Sequence, residues 1–414
     1  MTAAGRSSGE VVVTGLGLVT PAGIGVAENW KTIRSGMSTA ATDPELAGAA
    51  VDFSCRVPDF NPVALLGRAT AFRTDRFVQL ALVAAREAVA DAGLDPATWD
   101  GARVGVVLGN SLGGSVTFER QHRELIDNGV DDVSPLMVPM SMVNMVAGYV
   151  SIDCGARGPS LVTATACASG TTAIGIARDL LRSGACDVVL AGGTESALSP
   201  AVLAGLGRMG ALSARADDPT TASRPFDIDR DGFVAAEGAG ILVLERRADA
   251  VARSAPIQAA LLGFGASADA HHITAPAPGG AGMELALRMA LADGGLTPAD
   301  IDHVNAHGTG TTRGDRFEAR GVAEVFGKPV PVFAPLSRFG NLGAGSALME
   351  LACSVLALQN GQLPGTLNHA NPDPACPVAV HTGSPRPITK PHAVKLSYTD
   401  LGQCAAVVVK KWQE

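Results

Sequence analysis

Thr163-Ala164-Thr165-Ala166-Cys167-Ala168-Ser169-Gly170 joins an apolar run to an amphipathic one, and the fold is read outward from this junction. Leu161 to Ala166 has the character of a short buried strand, whereas Ala173, Ile174, Ala177, Leu180 and Leu181 recur at helical spacing. Cys167 therefore falls where a strand breaks into a helix. The free N–H groups and positive dipole end of a helix N-terminus favour thiolate over thiol, so a pKa below the usual value of roughly 8.5 is expected. Ala168, Ser169 and Gly170 are small enough to admit a bulky thioester, and their backbone N–H groups can hold an oxyanion. Taken alone, the residue also fits a buried structural cysteine.

A second junction of the same design lies 140 residues downstream. In Val304-Asn305-Ala306-His307-Gly308-Thr309-Gly310-Thr311 an apolar strand runs into a Gly/Thr loop carrying one imidazole. A histidine there can accept the thiol proton and then act on a bound carbonyl; by itself it is equally a solvated loop residue.

Composition narrows the class. Of 414 residues, 47% are hydrophobic and 17% charged, which requires a large core and excludes disorder. The formal charge of −8 offers no basic stripe, so neither nucleic acid nor an anionic membrane is an expected partner. Seven cysteines are scattered without paired metal-ligand spacing, and His122, His271, His272, His303, His369, His381 and His392 form no such set, so no metal is expected. A reduced, cytoplasmic protein follows. No apolar stretch approaches the roughly 18 residues of a membrane helix, and Met1–Glu10 reads as a frayed polar tail.

Strand-like and helical runs alternate throughout: Val11–Gly15, a helix Phe77–Ala92, Val104–Gly109, the Cys167 unit and Val188–Ala191. After Arg247 the pattern begins again with Ile257–Gly263, a helix Gly282–Asp293, Ile301–Asn305, a helix Gly314–Val325, Val330–Ala334, a helix Ala347–Leu358 and Ala405–Lys410. Residues 1–250 and 251–414 are expected to form two α/β halves, the second echoing the first. Ala211–Pro225 and Gly361–Pro391 read as long connections. Arg215 and Arg224 in the first of them are solvated, or else available to an anionic ligand or partner.

Together these motifs resemble the β-ketoacyl synthases of fatty acid and polyketide assembly. The resemblance covers nearly the whole chain: Val11 to Pro21, Cys167, Asp187 to Glu195, Arg224-Pro225-Phe226-Asp227, Arg230 to Val234, Glu237-Gly238-Ala239-Gly240, and His307 to Thr311 with Gly314, Asp315 and Glu318. It implies a thiolase fold of duplicated βαβ halves in an α-β-α-β-α layering, a homodimer, and an acyl carrier protein as partner. The substrate arrives on that partner's phosphopantetheine, so no cofactor of the protein's own is implied. Cys167 and His307 take the catalytic positions, and Glu318, Thr309 and Thr311 support them.

Two departures bear on the chemistry. Elongating members carry Lys-Ser-x-x-Gly-His followed by a helical Glu; here Leu336-Ser337-Arg338-Phe339-Gly340-Asn341 precedes Glu350, so Leu336 replaces the lysine and Asn341 the second histidine. A carboxamide donates a neutral hydrogen bond but does not titrate near neutrality, which assigns Asn341 to an oxyanion unless it merely caps the next turn. The family's Gly-Phe-Gly-Gly-x-Asn gate is Tyr398-Thr399-Asp400-Leu401-Gly402-Gln403-Cys404, with Asp400 near the gating aromatic position. Asp400 is a base for a second reaction, a gate, or a carboxylate turned to solvent or an arginine. The backbone at Cys167 and near Leu401 is expected to supply further oxyanion contacts. The preferred reading is an enzyme that loads an acyl chain on Cys167 and closes a ring by an aldol or acyl cyclisation without elongation. Decarboxylative Claisen elongation, and a silent partner subunit, are the alternatives.

Overall fold

The computed structural model describes residues 9–327 and 330–413; of the tail expected at Met1–Glu10, all but the last two residues lie outside these. Glu10 is held, its carbonyl accepting from Arg247 N–H at 2.8 Å.

Ten principal strands form two sets of five. The first comprises β1 (Val11–Thr20), β2 (Val104–Gly109), β3 (Ser160–Thr163), β4 (Val188–Ser196) and β5 (Glu237–Arg246). The second comprises β6 (Ala259–Ala268), β7 (Ile301–Asn305), β8 (Pro331–Phe333), β9 (His392–Tyr398) and β10 (Gln403–Lys411). Their spatial orders, β1-β5-β4-β2-β3 and β6-β10-β9-β7-β8, are the same permutation. In both sets the last strand in sequence pairs antiparallel with the first and with the fourth, and the other two pairs are parallel. The sets meet where β1 lies antiparallel to β6, Val11 opposite Leu261 and Val13 opposite Ala259.

Six helices complete five layers. α1 (Arg76–Asp91) and α2 (Met145–Cys154) cover the outer face of the first sheet, and α4 (Ala281–Asp293) and α5 (Thr312–Phe326) that of the second. α3 (Ser169–Arg182) and α6 (Ser346–Asn360) lie between the sheets. Strands covered on both faces carry apolar side chains on both. In β5, Leu242 and Leu244 join the central cluster around α3 and α6, while Ile241 and Val243 join the outer cluster under α1. This is the layered α/β architecture expected from the alternation, in the duplicated thiolase-fold arrangement that the resemblance implies. Strands run longer than the apolar runs predict: β1 continues through Gly15 and Gly17 to Thr20, and β9 forms where the sequence predicts no strand.

The duplication extends to a packing device. A Cβ on Gly15 or Gly17 of β1 would lie 2.1 or 1.9 Å from the backbone oxygens of Ala88 and Ala84 in α1. One on Gly263 or Gly265 of β6 would lie 2.0 or 2.2 Å from those of Ala290 and Ala286 in α4. Each outer helix thus touches strand backbone directly, and no side-chain rotation can relieve an added methyl. The Gly17→Ala variant is expected to lose about 3 kcal/mol of stability, the upper range for overpacking a core, read as a lowered denaturant midpoint with an unchanged slope.

Candidate active site

The C-terminal ends of β3 and β7 deliver the two motifs to one place, because parallel strands in equivalent halves point their ends at the same interface. After β3 the chain turns through Ala166–Ala168 into α3. Ala166 holds φ 47°, a left-handed conformation unusual for a residue with a Cβ, directly before Cys167. Ser169 locks the bend: its hydroxyl donates to Ala166 O at 2.6 Å and accepts Thr165 N–H at 2.8 Å.

His307 follows β7 and is fully buried. Its backbone N–H and that of Gly308 donate to the two carboxylate oxygens of Glu318 at 2.7 and 2.8 Å, so the supporting carboxylate expected on α5 fixes the loop itself. Burial and Asp315 push the Glu318 carboxyl up to about 8, while the N–H donors and Lys395 draw it down. Asp315 braces the same loop through Gly310 N–H, and also receives Phe226 N–H. The His307 ring stands edge-on to Tyr398, centroids 5.3 Å apart, and Nδ1 lies 3.2 Å from Glu350 Oε1 on α6. A carboxylate only accepts, so Nδ1 carries the proton and Nε2 is left as an acceptor, buried without a protein partner. Thr309 and Thr311 hydroxyls meet at 3.0 Å beside it.

Asn341 joins the site from the turn before α6. Its Oδ1 receives Gly343 N–H at 2.9 Å and the Ser346 hydroxyl at 3.1 Å. These donors identify the oxygen, leaving Nδ2 as the free donor; the Cys167 sulfur lies 3.8 Å from Oδ1 and 3.9 Å from Nδ2. The side chain therefore caps its turn and faces the thiol at once. Leu336, at the vacated lysine position, is buried in the central apolar cluster.

Cys167, His307, Thr309, Thr311, Asn341, Asp400 and Leu401 all line one cavity of about 430 Å³, whose remaining wall is mostly apolar, with Leu198, Leu206, Met209 and Phe233. Asp400 faces it with Oδ1 unpartnered; burial raises its carboxyl above the ordinary range, against the pull of His307 and Arg313. Leu401 is about half exposed, and its N–H is directed at the Thr399 hydroxyl at 3.3 Å, so the oxyanion contact expected there is already engaged.

The expected low thiol pKa is corrected. Burial, and then the charges of Asp400, Glu350 and Glu195, push Cys167 up to about 12, with Asn341 drawing it down. The N-terminus of α3 acts in the lowering direction but stands against an apolar wall and three carboxylates. The site suits a thiol deprotonated by a neighbour during reaction rather than a standing thiolate.

Other expectations resolve locally. Arg224 pairs with Asp227 at 3.0 Å, and Arg215 lies 3.7 Å from Asp231 and donates to Asp229 O, so each has acidic company. His303 is buried against Asp302 and Ser354. Among the described residues no cluster of three or more His, Cys, Asp or Glu is placed to hold a metal, and no helix is long and apolar enough to cross a membrane. Sequence reasoning missed Lys395, buried 3.0 Å from Glu350 Oε2; its signal was a single cation inside the apolar run of β9.

Comparison with known proteins gives matches across the chain. Residues 8–250 match the model of the β-ketoacyl synthase N-terminal domain, and 258–370 that of the C-terminal domain. The chain is 39% identical to 3-oxoacyl-[acyl-carrier-protein] synthase 2 of Synechocystis sp., over 97% of this chain and 98% of that one. A β-ketoacyl synthase from Burkholderia phymatum superposes with a TM-score of 0.92 at 31% identity, covering 98% of this chain and all of the other. A type II polyketide ketosynthase in complex with its acyl-carrier protein and bound to the hexaketide superposes with a TM-score of 0.89 at 30% identity, with the same coverage.

Proposed function

Because this chain belongs to the β-ketoacyl synthase family, we propose that it takes an acyl chain from a carrier-protein phosphopantetheine onto Cys167 and then forms a carbon–carbon bond within that chain, without elongating it. The carrier as donor is supported by the solved relative that binds one. In loading, His307 Nε2 takes the thiol proton, sulfur attacks the thioester carbon, and the carrier thiolate leaves with that proton.

The observation that carries the ring-closing step is Asp400, a carboxyl with an unpartnered oxygen and a raised proton affinity in the acyl cavity. It takes a proton from the carbon next to the thioester, and Asn341 Nδ2 donates to the enolate oxygen. The enolate carbon bonds to a carbonyl carbon further along the chain, whose oxygen takes up the proton. Attack of a product hydroxyl on the thioester then frees the ring and returns the thiol.

Elongation with a malonyl carrier is the second reading, favoured by the 39% identical relative named as a 3-oxoacyl synthase. The two separate when the protein is mixed with acylated carrier and then malonyl carrier while intact mass and CO₂ are followed. Ring closure predicts loading and release without CO₂; CO₂ with a product two carbons longer establishes elongation instead. Under ring closure Asp400→Asn loads within a few-fold of wild type but releases product roughly 10²–10⁴-fold more slowly, the range for loss of a general base; unchanged release removes Asp400 from the mechanism.

We also propose that the active form is a dimer of two copies. The support is β3, the last strand of its sheet, whose Leu161 is exposed. An unpaired edge of this kind invites strand addition, and sedimentation at micromolar concentration that gives a monomer would refute it.

A further inference from the structure

Glu350 is a fully buried carboxylate and the one charged residue in the first ten of α6, which otherwise carry apolar side chains and the hydroxyls of Ser346 and Ser354. A buried negative charge has to be balanced, by its own proton, by a neighbouring imidazolium or by another cation. The groups facing His307 are Cys167 from the turn before α3, Glu318 from α5, Glu350 from α6, and Lys395, Tyr398 and Asp400 from β9 and its turn. Among these described groups Lys395 supplies the one cation besides the ring itself, with the Arg313 guanidinium acting on Asp400 from α5.

Its position follows from strand periodicity. Val394, Leu396 and Tyr398 point into the outer core, so Ala393, Lys395 and Ser397 face the central layer and α6. Ser397 confirms the direction, its hydroxyl 2.8 Å from that of Thr171 on α3. Lys395 Nζ donates to Leu396 O and makes an ion contact with Glu350 Oε2 at 3.0 Å, angled away from a directed hydrogen bond. In the segment before Asn341 the position where elongating relatives carry a lysine is Leu336, and the buried Arg338 of that segment is turned to Gly365 O and the Phe333 ring.

We infer that Lys395 is a positioning residue which relocates that missing charge: it balances Glu350 from β9, and so keeps His307 neutral, with Nδ1–H held by Glu350 and the Nε2 lone pair free in the cavity. Remove the ammonium, and Glu350 draws its balancing charge from His307, which holds a second proton and cannot accept one from Cys167. This rests on the reading of His307 as the base, but it is tested on the resting protein without acyl substrate, so either can fail alone.

The experiment is a pH titration of ¹⁵N-histidine-labelled protein by NMR, with the His307 resonance identified by its loss in His307→Gln. Lys395→Met is expected to move the imidazole midpoint to higher pH by about one unit or more. Lys395→Arg keeps the wild-type midpoint, and Lys395→Met/Glu350→Gln returns to it. If Lys395→Met does not fold, Glu350→Gln alone carries the test: it leaves the ammonium unbalanced and moves the midpoint to lower pH. A general loss of packing gives no reason for shifts of opposite sign. An unchanged midpoint in Lys395→Met, or an upward shift in Glu350→Gln, overturns the inference.

Discussion

Cys167→Ala protein incubated with acylated carrier is expected to gain no acyl mass, while keeping the wild-type melting temperature. The first half of the expectation follows from the cavity. Among its lining residues Cys167 is the only thiol, and no lysine lines it. The hydroxyls there, of Ser111, Thr274, Thr309, Thr311, Thr399 and Tyr398, lack the elbow that presents the sulfur at the end of β3. The second half follows from packing: the bend is held by Ser169 hydrogen bonds that Sγ does not join. Intact mass spectrometry reads the gain and calorimetry the stability. Persistent acylation of the variant would move the nucleophile elsewhere and take the loading mechanism with it.

Asn341→Ala is expected to slow the carbon–carbon step by roughly 10²–10³-fold, the usual consequence of losing one preorganised oxyanion donor, with loading on Cys167 largely retained. Preorganisation is visible in the amide. Gly343 N–H and the Ser346 hydroxyl both hold Oδ1, and the backbone is pinned to Val234 O and Ala236 N–H at 2.8 and 3.0 Å, so Nδ2 is aimed before substrate arrives. Single-turnover release from preloaded protein isolates that step from loading. Because the same Oδ1 caps a turn, some stability is lost too; Asn341→Asp separates the effects, keeping an oxygen for the turn but removing the donor. Equal release rates in Asn341→Asp and wild type would show that the amide serves only the turn.

Much of this site could be read along the chain. The strand, turn and helix around Cys167, the Gly/Thr loop at His307, the loss of lysine and histidine at Leu336 and Asn341, and the carboxylate at Asp400 are local patterns, each within about a dozen residues. The repeat of the first half by the second was legible for the same reason, since hydrophobic periodicity is a property of neighbours in sequence. Element ends were less legible. Glycines let β1 continue where composition suggested a break, because Gly15 and Gly17 serve contact with α1 rather than a turn.

The sequence by itself thus determined the layered α/β architecture, the family, and the motifs whose side chains meet in one cavity. Only the tertiary structure decided their electrical state. Lys395 reaches Glu350 from a strand 45 residues away in sequence, Asn341 reaches Cys167 across 174, and the thiol is pushed up to about 12 where a helix N-terminus alone predicted a low value. Local patterns arise from backbone geometry, which acts between near neighbours; desolvation and Coulomb energy depend on every group within several ångströms, whatever its place in the chain.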